Sequence, residues 1–181
     1  LILGLNSDLA EGESIFLVSA LIPNRKSHPV IWSWYAVHCQ GNTVSHISSL
    51  QETLEKFDFG NSPRPNTNNS VDQATLDSLR TPVVEAVRKK VLEEKATLDA
   101  ELKPKLDAQL AELSQLKGKQ EQQLELTLAK GLESTKAAKK RREQQRIDTI
   151  FDAYQTWVKD TMRTEPAPYI QLIAVLARTT E

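Results

Sequence analysis

Apolar residues in the first quarter of the chain come in short runs. Ile15-Phe-Leu-Val-Ser-Ala-Leu-Ile22 is ended by Pro23-Asn24, and Val30-Ile-Trp-Ser-Trp-Tyr-Ala-Val-His38 is rich in β-branched and aromatic residues, so both predict strands. The link from Pro23 to Pro29 suits an exposed hairpin connection. A period of two places Val30, Trp32, Trp34 and Ala36 on one face and Ile31, Ser33, Tyr35 and Val37 on the other, and both faces look largely covered. Gly41-Asn42 signals a turn, Thr43 to Ile47 a third strand, and Ser49 with Glu52 a capping box for a short helix to about Phe57.

The pattern then changes. Residues 61–71 are dominated by Pro, Asn and Ser and read as a linker. Ser70 with Gln73 forms a second capping box, and Thr81-Pro82 offers an N-cap followed by proline at the first helical position, so a short helix is expected before a long one. From there Val83, Val87, Val91, Leu98, Leu102, Leu106, Leu110 and Leu113 recur at steps of three, four or seven, a narrow coiled-coil seam. It continues through Leu124, Leu128 and Leu132 and resumes with Ile147, Ile150, Phe151, Tyr154 and Val158. A single helix would leave the stripe uncovered, so the chain is expected to fold back, with the turn at Gly118 and Gly131 as second choice. Pro104 predicts a kink or break in the first arm. Tyr169-Ile-Gln-Leu-Ile-Ala-Val-Leu176 is strand-like and is expected to join the sheet begun upstream. The fold class is therefore α+β: a small mixed or antiparallel sheet head, residues 1–60 plus 168–178, with a long antiparallel helical (coiled-coil) hairpin, residues 72–163, inserted before the last strand.

Composition narrows the function classes. The 181 residues are 39% hydrophobic and 6% aromatic, which argues against one large core. Leu1 stands where a start Met would be expected and no leader pattern precedes it, so the chain reads as a fragment of a longer protein. No apolar run is long enough for a membrane span. The single cysteine, Cys39, fits a reducing, cytoplasmic setting. Net charge is −1, but residues 72–163 hold 18 Lys or Arg against 16 acids and form the one basic segment.

No phosphate-binding loop occurs, since Gly118-Lys119 lacks the upstream glycine and the following Ser or Thr. His28, His38, His46 and Cys39 are too few and too dispersed for a zinc site, and the acids of the arms alternate with Lys and Arg as solvated surfaces do. Neither a catalytic residue, a metal site nor a cofactor is expected. Trp32, Trp34 and Tyr35 read either as core or as a binding platform, and Ile147, Ile150, Phe151, Tyr154, Trp157 and Val158 as the face by which the returning arm docks on the sheet. The sharpest charge feature is Lys136, Lys139, Lys140, Arg141, Arg142 and Arg146, six cations broken by Glu143 alone. It reads either as a solvated or ion-paired face, matched across the hairpin by Glu93, Glu94 or Asp99, or as a nucleic-acid phosphate contact.

Arg146-Ile-Asp-Thr-Ile-Phe-Asp-Ala-Tyr-Gln-Thr-Trp157, followed by Pro168-Tyr-Ile-Gln-Leu-Ile-Ala-Val-Leu176, resembles the ending of bacterial Swi/Snf-type helicase-like ATPases, including the RNA polymerase-associated RapA group. The order of elements resembles that region too. The resemblance implies an ATP-driven translocase as parent, with these residues forming a non-catalytic accessory domain after the second motor lobe. Its implied partners are a DNA or RNA backbone, RNA polymerase or the motor lobes, with no membrane, and the chain is expected to be a monomer. The competing expectation is a coiled-coil scaffold that forms a homodimer and binds protein.

Overall fold

A computed structural model describes residues 1–5, 9–57, 71–129 and 133–178. In chain order the elements are β1 (Ile2–Leu5), β2 (Glu13–Pro23), β3 (Pro29–Gln40), β4 (Thr43–Ser49), α1 (Leu50–Lys56), α2 (Gln73–Ala129), α3 (Glu133–Met162) and β5 (Tyr169–Arg178). The strands form one mixed sheet ordered β1-β5-β2-β3-β4, parallel at β1–β5 and antiparallel elsewhere. The fold is α+β, and the two long helices stand in sequence between α1 and the last strand. That last strand lies inside the sheet, between β1 and β2. Strand β1, which sequence patterning missed, is only four residues long and includes a glycine.

Contacts divide the chain into two compact units, one of Leu1–Pro23, Pro29–Ala96 and Glu165–Glu181, the other of Asn24–His28 and Thr97–Thr164. In the first unit, Gly41 has φ +58° at the start of the two-residue β3–β4 turn, and Asn42 does not share the positive angle. This is the type II′ arrangement that strand twist favours. Helix α1 begins at the expected capping box, in which Ser49 and Glu52 each accept from the other's backbone N–H.

Opposed residues in antiparallel strands share a face, so the registers sort the sheet. One face carries Trp32–Leu21–Tyr169, Trp34–Ser19–Gln171, Ala36–Leu17–Ala174 and His38–Ile15–Leu176 in successive rows. Leu9 and Phe57 close over its Ile15, Ala36 and Leu176 end. The other face carries Phe16, Val18, Ala20 and Ile22, all fully buried. Ser33 Oγ donates to Glu94 Oε2 at 3.0 Å there, which ties the first part of α2 to that face.

Helix α2 corrects the expected boundary at Thr81-Pro82, because one 57-residue helix runs through it. Leu76, Leu79, Val83, Val87 and Val91 are buried across the proline. Each such burial stabilises by roughly 1.5–3 kcal/mol, so together they outweigh the roughly 3 kcal/mol that an interior proline costs. Pro104 likewise sits inside the continuous helix and does not break it. The helix is capped by Asp72, whose Oδ1 accepts from the Ala74 and Thr75 amides at 3.1 and 3.2 Å. The expected linker 61–71 and the Ser70 cap fall almost wholly outside the described residues.

In the second unit, the end of α2 and α3 run antiparallel. Lys117–Asp148 at 2.6 Å, Glu121–Gln144 at 2.7 Å and Glu125–Lys140 at 2.9 Å step toward each other in sequence, which puts the turn between Ala129 and Glu133. Gly118 is therefore not the turn: it lies inside α2, and a Cβ added there would meet nothing within 4 Å. Gly131, the second choice, lies outside the described residues. Leu106, Leu128 and Val158 are buried in this unit.

The β2–β3 loop belongs to the same unit and meets the end of α3. Asn24, 4% exposed, accepts at Oδ1 from the Lys26 and His28 amides at 2.9 and 3.0 Å and donates from Nδ2 to the Thr161 carbonyl at 2.9 Å. The Arg25 amide donates to the carbonyls of Asp160 and Arg163. A helix ends with carbonyls that lack intrahelical partners, and this loop supplies donors for them. The expectation of an exposed connection holds for residues 25–29 but not for Pro23 and Asn24.

Candidate functional site

Three places combine chemistry with a position that could use it. The first is the aromatic end of the sheet face. Trp32 is 64% exposed, Trp34 39% and Tyr169 66%, whereas Tyr35 is buried, so the expected aromatic trio splits. Alternation explains the split, because Tyr35 points to the α2-covered face and the tryptophans to the other. The indoles lie 6.2 Å apart, and Trp32 Nε1 donates to Ser19 Oγ at 3.1 Å, which fixes its ring. Trp34 continues into a shallow groove with Ser49, Leu50, Gln51 and Leu54. Tyr169 was not singled out in the sequence; its register opposite Leu21 is what brings it into the same row as Trp32, one strand across.

The second place is the buried polar cluster under α1. His38 Nε2 and Ser48 Oγ are 3.0 Å apart, Ser48 Oγ and Thr53 Oγ1 3.1 Å, and the His38 and His46 rings stack at 4.0 Å. Burial, helped by His46 and Lys56, pushes the His38 imidazole below its ordinary range, against a smaller upward pull from Glu13. Ser48, His38 and Glu13 are the side-chain types of a hydrolytic triad. The Glu13 oxygen is 3.8 Å from Nδ1, too long for a hydrogen bond, so that buried nitrogen has no partner among the described residues; His38 is only 5% exposed, and no triad is assembled. On the opposite face, burial likewise raises the Tyr35 phenol, and it lifts the Cys39 thiol to about 11. Among the described residues no three His, Cys, Asp or Glu side chains are placed to hold a metal ion.

The third place is the basic run on α3. Lys139, Lys140, Arg141, Arg142 and Arg146 are exposed and Lys136 is half-buried. Lys140 pairs with Glu125 and Arg146 with Glu143 at 3.8 Å, while Lys139, Arg141 and Arg142 form no ion pair with a described residue. Of the expected partners Glu93, Glu94 and Asp99, Glu94 accepts from Ser33 Oγ at 3.0 Å and Asp99 from Thr164 Oγ1 at 2.7 Å. Folding at Gly118 would have aligned them with Lys140, whereas the observed turn aligns Lys140 with Glu125. Of the returning arm's apolar set, Ile150, Tyr154 and Trp157 are 54%, 53% and 51% exposed. Only Val158 of that set is buried, with Ile147 and Phe151 partly so.

No helix among the described residues is long and apolar enough to cross a membrane. In comparisons with known proteins, no family model, no curated protein and no solved structure matches the chain.

Proposed function

We propose that the chain is a non-catalytic interaction module, an accessory region of an ATP-driven helicase-like translocase working in the cytoplasm. Its α3 contacts a nucleic-acid backbone through Lys136, Lys139, Lys140, Arg141, Arg142 and Arg146. The observation that carries the reading is the contrast along one hairpin: Lys117 and Lys140 are neutralised by acids of the facing arm, whereas Lys139, Arg141 and Arg142 are exposed with no such neutralisation. Exposed cations without local acids are what a polyanion can engage. The Trp32, Trp34 and Tyr169 face is then the surface left for a protein partner, such as RNA polymerase or a motor lobe. The competing scaffold reading is weakened because Leu106, Leu128 and Val158 are already buried within one chain, leaving less of the seam for a second copy.

Binding of a labelled DNA duplex across a salt series tests this. Contact with about three to five phosphates gives a log–log salt slope of roughly −3 to −5. Replacing Lys139, Arg141 and Arg142 together by Gln flattens the slope by about 2 to 3. A chain that binds no nucleic acid even at low ionic strength overturns the reading.

A further inference from the structure

The basic run and the exposed aromatic residues of α3 belong to a single row. Lys139, Arg142, Arg146, Ile150, Tyr154 and Trp157 follow one another at steps of 3, 4, 4, 4 and 3. At 3.6 residues per turn these steps keep all six on one side of the helix, along about 27 Å. Every one of them is exposed. Cations occupy the first half of the row and aromatic rings the second, with Tyr154 and Trp157 5.7 Å apart and inclined by 36°. Glu143, four residues on from Lys139, is drawn to Arg146 at 3.8 Å.

We propose that this face of α3 binds single-stranded nucleic acid, with phosphates on Lys139, Arg142 and Arg146 and unpaired bases against Tyr154 and Trp157. The inference rests on the nucleic-acid reading above and narrows it to a strand form. Cations that track a backbone combined with aromatic rings that take bases are the two components of sequence-tolerant single-strand binding. A duplex could use only the first half of the row, because its bases are stacked inside and present no free ring to Tyr154 or Trp157. An anionic lipid surface would also attract the cations. It is disfavoured because Ile150 is the only aliphatic side chain in the row, too little apolar surface for an interfacial helix.

Fluorescence anisotropy of the whole chain with a labelled oligothymidylate of about 15 nucleotides, and with a duplex of equal length, decides the matter. Tyr154→Ala and Trp157→Ala should each weaken single-strand binding by about 5- to 150-fold and leave duplex binding unchanged. Trp157→Phe should retain most of the affinity. Arg142→Gln should weaken both ligands and lower the salt slope by about 0.7 on the single strand. These side chains are exposed, and matching circular dichroism melts establish that the variants fold. If the alanine variants bind the single strand like the parent while Arg142→Gln still loses affinity, the stacking face is refuted and the backbone reading stands. If neither nucleic acid binds, both fall. If phosphatidylserine vesicles bind more tightly than the oligonucleotide and lose binding in the same variants, the face belongs to lipid and the inference is overturned.

Discussion

Replacing Asn24 by Ala measures how firmly the β2–β3 loop holds the end of α3. The substitution removes three hydrogen bonds: two that shape the loop, from the Lys26 and His28 amides, and one across to the Thr161 carbonyl. Lys26 and His28 are exposed, so water can serve their amides, whereas Asn24 itself is 4% exposed and its bond to the helix has no such substitute. At roughly 0.5–1.5 kcal/mol each, the loss is about 2–3 kcal/mol, or about 30- to 150-fold in the folding equilibrium. Asn24→Asp sharpens the test. It preserves the acceptor but loses the donor, and it sets a carboxylate beside the negative end of the α3 dipole and near Asp160. The carboxylate should therefore ionise less readily in the folded chain than in the unfolded one. A raised folded pKa gives stability that is present at low pH and lost as pH rises, so the Asp variant should be as impaired as Ala near neutrality and should recover on acidification relative to the parent. Urea unfolding followed by far-UV circular dichroism reads both. A loss below about 0.5 kcal/mol for Asn24→Ala would show that the loop merely lies beside the helix.

Two further outcomes follow from single positions. Gly118→Ala should raise stability by about 0.5–1 kcal/mol, read as a higher thermal midpoint, because the residue is helical and an added Cβ meets nothing within 4 Å; a fall in the midpoint would contradict its place inside α2. His38, whose folded pKa is depressed by burial, contributes stability above its unfolded value near 6.5 that is lost as pH falls toward the folded value. Thermal melts between about pH 7 and pH 5 should drop, and His38→Gln should flatten that part of the profile; an unchanged profile in the variant assigns the drop elsewhere.

What the sequence disclosed depended on how local the determinant was. Strands β2 to β5 and the Ser49 cap are set by short-range patterns, and each lies where those patterns put it. Glycine and proline misled wherever packing outweighed local preference. Pro82 looks like a helix start, but the stripe from Leu76 to Val91 is buried straight through it. Gly118 looks like a turn, but its helix cost of about 1 kcal/mol is small beside the pairing of two arms. That one displacement of the turn also sets Glu125 opposite Lys140. At the aromatic surfaces the periodicity located the side chains but could not say what covers them. Trp32 and Trp157 are spaced like core residues and remain exposed. Tyr169 joined the tryptophans only through a pairing with β2 that no local signal encodes.

The interior position of β5 has a consequence for the order in which the molecule can form. The strand lies between β1 and β2, yet roughly 145 residues separate the end of β2 from its start. On a ribosome adding about 5–20 residues per second, β1, about 163 residues upstream of β5, waits about 8 to 33 seconds for its only strand partner among the described residues, while the β2–β3–β4 meander can pair at once. The helical arms are local and can zip together in that interval. Closing the sheet is thus a late, long-range event, and a chain truncated before Tyr169 would leave β1 unpaired and one edge of β2 open to strands of other molecules.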